Sequence, residues 1–307
     1  MFKTLFRTGL LLGAMILGVL IPRGGEWIFL VRYLLMGMLF IVFLQVNITR
    51  MKPEKSHWKI FLGNLCIGIF SWLAVWWISG EKTMALAAFF TGIIPTACAA
   101  PVVMKFLGGR VEFTVVSFLI NTIGISLALT GLVPLTTGNF TLSFFSRVAG
   151  TLVIVIGVPL AVAFLIRRWY KGAALLAQRM SNFSFFLWNF MLFITVSAAC
   201  KSIRETPDMG WMTLVRIGVI SCVICIVNFT VGYWIVPRKL RREGSQVLGQ
   251  KNTMFLLYIA LTYGGPVPAL GPTFYVLWQN LWNSFQMYMY DRRKVLRRKK
   301  REKPCHS

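Results

Sequence analysis

The chain has 307 residues, with 33 Lys or Arg against 9 Asp or Glu and a formal charge of +24. It is 57% hydrophobic and only 14% charged, where soluble domains run at roughly 45–50% and 25%. A chain that is apolar and basic at once is neither a soluble domain nor a nucleic-acid binder that trades apolar residues for charge. It is not disordered, and six scattered cysteines make no disulfide scaffold.

The two properties coexist if apolar stretches lie in lipid and basic residues lie between them. A bilayer core about 30 Å thick takes ~20 apolar residues per helix. Apolar runs punctuated by Gly, Pro and charge predict ten spans, at 4–22, 27–48, 58–78, 84–107, 111–133, 142–166, 182–199, 213–236, 249–264 and 266–290. The first follows Lys3 and Arg7 and ends at Ile21-Pro22-Arg23 without an Ala-x-Ala-like site, so it is read as an uncleaved span and not a secretory signal. Span three carries Asn64 and Ser71. Span four contains Ile94-Pro95-Thr96-Ala97-Cys98-Ala99-Ala100-Pro101. Pro101 lacks a backbone donor and clashes with the turn before it, so this span is a poor continuous helix. Gly108-Gly109-Arg110 separates it from span five, where Thr114, Ser117 and Asn121 share one helix face. Span eight holds Cys222 and Cys225 on one apolar turn. Span nine opens with Gly249-Gln250-Lys251-Asn252, again a poor helix. Gly264-Gly265-Pro266 precedes span ten, which carries Gln279, Asn280, Asn283 and Ser284.

The basic residues test this map. With the N-terminus cytoplasmic, segments on that side hold 25 of the 33, nine of them after Tyr290. The other side holds only Arg23, Lys82, Lys201 and Arg204, and Arg32, Arg147, Arg216 and Lys251 fall within spans. A missed or invented helix would break that alternation from its position onward. The expectation is an all-α polytopic membrane protein of the cytoplasmic membrane, with ten transmembrane helices and both termini cytoplasmic. No extramembrane domain is expected. Ten spans divide as five plus five, and an odd number per half turns the halves opposite ways. The predicted organisation is therefore two inverted five-helix repeats, 1–140 and 141–291, with broken helices 4 and 9 and a basic tail at 292–307. Broken helices at matching places point to a transport site, because they free backbone groups for an ion or substrate.

No Asp or Glu falls deep inside a predicted span; Glu112 comes closest. That argues against a proton or sodium pump built on carboxylates. Asn121 and Asn280 either bond between helices or line a cavity. Lys251 either snorkels to the nearby cytoplasmic face or supplies a fixed positive charge at a site for an anion. Arg32, Arg147 and Arg216 lie near outer span ends and are read as snorkelling. His57 and His306 are the only histidines, so neither a metal site nor serine–histidine catalysis is expected, and the chain is not read as an enzyme. The tail from Arg292 to Arg301, next to Tyr288-Met-Tyr290, is read as contacting anionic lipid and not nucleic acid.

Two stretches resemble the bile acid/sodium symporter family. One is Pro95-Thr-Ala-Cys-Ala-Ala-Pro-Val-Val-Met-Lys-Phe-Leu-Gly-Gly109, followed by a hydroxyl-bearing helix. The other is Gly249-Gln-Lys-Asn252, running through Pro266, Pro268 and Pro272 to Trp278-Gln-Asn280. The resemblance implies two inverted five-helix repeats with broken helices four and nine that cross, and a core bundle (spans 3–5 and 8–10) moving against a panel (1, 2, 6 and 7). It also implies an organic-anion substrate, bile-acid-like or a small carboxylate. The departures fall on sodium-ligand positions. Ala100 and Pro101 stand where the family has a small hydroxyl residue and Asn, Val247 stands at its Glu position, and Lys251 at its Gln position. Sodium is thus possible as a cofactor, but its expected ligands are largely missing. Candidate binding residues are Lys251, Gln250, Asn252, Thr96, Thr114, Ser117, Asn121, Asn64 and Asn280. The function implied is alternating-access transport not coupled to sodium through the usual sites. A ten-helix drug/metabolite-type carrier and a non-transporting membrane protein are the rival readings.

Overall fold

The computed structural model describes residues 2–45, 52–97, 100–170, 172–205 and 210–301. All regular structure among them is helical. In chain order, α1 (Phe2–Leu20) leads through a tight 3-10 stretch, Pro22–Phe29, into α2 (Leu30–Gln45). Then follow α3 (Lys55–Ser79), α4 (Lys82–Gly92), α5 (Ala100–Phe106) and α6 (Val111–Thr137). Next, α7 (Leu142–Leu152) continues through a π turn, Val153–Gly157, into α8 (Val158–Trp169). The remainder is α9 (Ala173–Arg179), α10 (Ser181–Glu205), α11 (Trp211–Trp234), α12 (Arg241–Gly249), α13 (Thr253–Ile259), a second π turn at Ala260–Gly264, and α14 (Pro266–Arg301).

Five segments are long and apolar enough to cross a bilayer: Pro22–Ile41, Lys55–Ser79, Val111–Thr137, Leu142–Trp169 and Trp211–Trp234. Their outward faces are apolar at helical spacing. On α3, Trp58, Leu62, Phe70, Leu73 and Trp77 all stand exposed, Trp77 by 89%. On α11 the same holds for Met212, Val215, Val219, Val223 and Ile226. Water would not tolerate apolar surface on that scale, whereas lipid does. The protein is therefore membrane-embedded and all-helical.

Polar contacts collect in two layers at opposite ends of α3. At its start, Glu54 Oε1 accepts from Arg110 Nη2 at 3.0 Å. His57 Nδ1 accepts from the Glu54 amide at 2.7 Å, and its Nε2 lies 3.2 Å from the Phe113 carbonyl. At the far end, Glu81 pairs with Arg216 at 3.5 Å, and Lys82 Nζ donates to the Thr137 carbonyl at 2.6 Å. Helices α3 and α6 run from the first layer to the second, and α11 returns. Helices α3, α4, α6, α11, α12 and α14 pack among themselves. Helices α1, α2 and α10 pack around the Pro22–Phe29 stretch, and α8 packs on α2.

Two expectations are corrected. The ninth segment begins at Arg241, not at 249: α12 forms its first half, and the Gly249–Asn252 break falls in the middle. The hydropathy pattern misses α12 because seven of its nine residues, all but Val247 and Leu248, are polar or glycine. From Glu243 through Gly249 they are all buried within the protein. Glu243, assigned to a loop by sequence, is the buried carboxylate among the described residues, in place of the exposed Glu112. It sits in the first turn of α12, where a negative charge meets free amides, and accepts the Arg110 amide at 2.8 Å.

Candidate functional site

Two helical segments enter the molecule from opposite layers and stop halfway. Helix α4 starts at the Glu81–Lys82 layer and ends at Gly92; α12 starts beside Arg110 and ends at Gly249. Pro95 and the residues around it cannot continue a helical ladder. The chain runs extended through Pro95–Ala97 and again through Gln250–Asn252. These stretches cross as an antiparallel bridge centred on Thr96 and Lys251. The Ala97 amide donates to the Gln250 carbonyl at 2.8 Å, and the Asn252 amide donates to the Pro95 carbonyl at 2.8 Å. Backbone groups freed by the two breaks thus satisfy each other, as burial demands.

The side chains at the bridge act reciprocally. Thr96 Oγ1 donates to the Val247 carbonyl in the last turn of α12, at 2.8 Å. Lys251 Nζ reaches the other way, to the Gly92 carbonyl at the end of α4, at 3.4 Å. Both carbonyls belong to helix ends that lack intrahelical donors and carry partial negative charge. The same Nζ donates to Asn64 Oδ1 at 2.5 Å. Asn64 in turn donates through Nδ2 to the Ile94 carbonyl at 3.0 Å and to Asn121 Oδ1 at 3.3 Å. Those two acceptors fix the amide so that its oxygen faces Lys251.

Helix α14 clamps the other side of the break with one polar face at i, i+4 and i+8. Tyr275 donates to the Gly249 carbonyl at 2.9 Å, and Gln279 Oε1 accepts the Lys251 amide at 2.9 Å. Asn283 Nδ2 donates to Gln250 Oε1. Lys251 is 1% exposed, so it does not snorkel. Among the described residues it is the one buried Lys or Arg, and it makes no salt bridge.

The remaining predicted site residues divide. Asn64, Asn121, Thr96, Gln250 and Lys251 converge at the crossing. Ser117 is close in sequence and fully buried; its carbonyl accepts from Asn121 Nδ2 at 3.0 Å, and its hydroxyl has no partner among the described residues. Asn252 is buried at the start of α13, and its backbone, not its side chain, makes the bridge. Thr114 is buried but bonds back to the Arg110 carbonyl of its own helix. Asn280 bonds to Val276 in its own helix and is half-buried, so it is not brought to the crossing. Gln279 and Tyr275 take that place; their signal was the four-residue spacing with Asn283. Cys98 and Ala99, within the first break, lie outside the described residues, as does the tail beyond Arg301. Cys222 and Cys225 are free thiols. In sequence comparison, no known protein family and no curated protein matches the chain.

Proposed function

We propose that this chain is a secondary transporter of an organic anion, bile-acid-like or a small carboxylate, working by alternating access. One observation carries the reading: two interrupted helical segments cross inside a membrane-embedded protein and pair through Thr96 and Lys251. Irregular backbone at membrane depth persists only where it is buried in protein or lines a cavity, and such crossings form substrate sites in transporters. The buried Lys251 amine has no acidic partner, so in its protonated form it favours an anion. The unpartnered Ser117 hydroxyl, one helical turn from Asn121, adds a buried donor on α6.

The reciprocal contacts, Thr96 to the end of α12 and Lys251 to the end of α4, support two inverted five-helix halves and the resemblance to the bile acid/sodium symporter family. The two self-packed groups of helices support a core and a panel. Sodium plays no part in this reading, because Val247 and Lys251 occupy the family's ligand positions. The basic bias places both termini in the cytoplasm and the tail against anionic lipid.

The test is uptake of bile-acid-like anions and small carboxylates into liposomes holding the purified protein, with and without a sodium gradient. Anion uptake indifferent to sodium is expected. A steep rise with inward sodium would end the sodium-independent part of the proposal, and failure to carry any organic anion would end the transporter reading.

A further inference from the structure

We propose that Lys251 couples the anion to a proton, so that the protein moves one organic anion together with one proton. This deepens the transporter reading and rests on it. The amine at the crossing is held by neutral oxygens only, Asn64 Oδ1 at 2.5 Å and the Gly92 carbonyl at 3.4 Å. The elements around it face it with no carboxylate. Helix α3 offers Asn64, α4 its terminal carbonyl, and α6 Asn121, which reaches Lys251 through Asn64. Helix α11 offers the Cys225 thiol, and α14 offers the Tyr275 hydroxyl and the Gln279 amide. A bound anion is therefore the counter-charge that the site lacks. Anion and proton then bind cooperatively by linkage: whatever one adds to the affinity of the other, the other returns. Both charge states of the amine retain hydrogen bonds here, since a neutral amine still donates to Asn64 Oδ1 and Gly92.

The step balances. A proton from the outer solution adds to the Nζ lone pair as the anion binds, giving an ion pair of zero net charge for a monoanion. The neutral pair is the form that tolerates enclosure at membrane depth. After the molecule opens inward, the anion leaves and the proton follows it to water. The neutral amine then returns through the occluded state. One anion and one proton have crossed, and nothing is oxidised or reduced. The ammonium without an anion is the form barred from returning empty.

Two measurements separate this proposal from the one it rests on. In weakly buffered detergent solution, binding of the transported anion to purified protein should take up about one proton per anion at a pH where the free amine is partly neutral. In liposomes, an inward proton gradient should drive net uptake. Lys251→Arg keeps a charge that cannot be shed. It should bind the anion without proton uptake, and it should retain anion exchange while losing uptake driven by the gradient. Lys251→Met, permanently neutral, should lose anion affinity and proton uptake together, which keeps the proposal testable if the arginine is not accommodated. Anion transport that ignores the proton gradient in the wild type overturns proton coupling and leaves a transporter standing. A wild-type proton response in Lys251→Arg overturns the role of Lys251, and absence of any anion binding or transport overturns both readings.

Discussion

Lys251 and Arg216 are both basic residues within the spans predicted from sequence, and their surroundings separate them. Arg216 reaches Glu81 at 3.5 Å with both side chains more than half exposed. Such a pair contributes about 0–1 kcal/mol and lies at the polar layer, away from the crossing. Lys251 is enclosed, and its side chain contacts Asn64 and the end of the broken segment α4. A charge-assisted contact to an anion is worth about 1.5–3 kcal/mol, or roughly 10–100-fold in affinity. Lys251→Ala is therefore expected to depress anion uptake by about tenfold or more, while Arg216→Ala at equal membrane abundance changes it less than about threefold. Equal effects in the liposome assay would remove Lys251 from the site. The sequence left two readings of this lysine open. The side-chain geometry decides for burial, because α12 carries the break a full half-helix away from the Arg110 layer.

At the scale of the element, the sequence reads well where punctuation is strong and poorly where burial is inside protein. Pro95 and Gly249–Asn252 mark both breaks, and Gly108 and Gly265 take up positive φ, +67° and +93°, at the two turns expected there. Helix α12 is illegible by hydropathy because Glu243 through Gly249 are buried against protein with few apolar side chains. Its signal lies in small residues: Gly244 packs directly on Gly232 of α11, and a Cβ on either would fall inside contact distance of the other's carbonyl oxygen. Small residues let backbones approach in this way. Asn280 shows the limit of reading polarity without phase. A helix turns 100° per residue, so Gln279 meets the Lys251 amide while its neighbour bonds back along its own helix. The close approach gives a stability test. Gly244→Ala should force α12 off α11 and destabilise by about 1–3 kcal/mol. Gly131→Ala on α6, where a Cβ meets nothing within 4 Å, should be neutral or slightly stabilising. Thermal unfolding in detergent followed by tryptophan fluorescence compares them, and equal melting points would mean that the α11–α12 contact yields without strain.

At the scale of the whole molecule, we read the charge of +24 as a record of orientation. The Glu54–Arg110–Glu243 layer and the Glu81–Lys82–Arg216 layer lie at opposite ends of α3 and α6. The basic excess falls on the side of the first. Arginine and lysine resist translocation, so this layer is expected in the cytoplasm. Helix α6 offers the cleanest test, because its ends carry exposed residues in both layers, Glu112 at its start and Asn139 just beyond its end. In a background without native cysteines, Asn139→Cys should react with a membrane-impermeant maleimide in intact cells. Glu112→Cys should react only after the membrane is opened. The reverse pattern would invert the protein in the membrane and overturn the orientation read from the basic residues. Labelling of both positions from one side would mean that α6 does not cross the bilayer, and the crossing of the two broken segments would then have no membrane to gate.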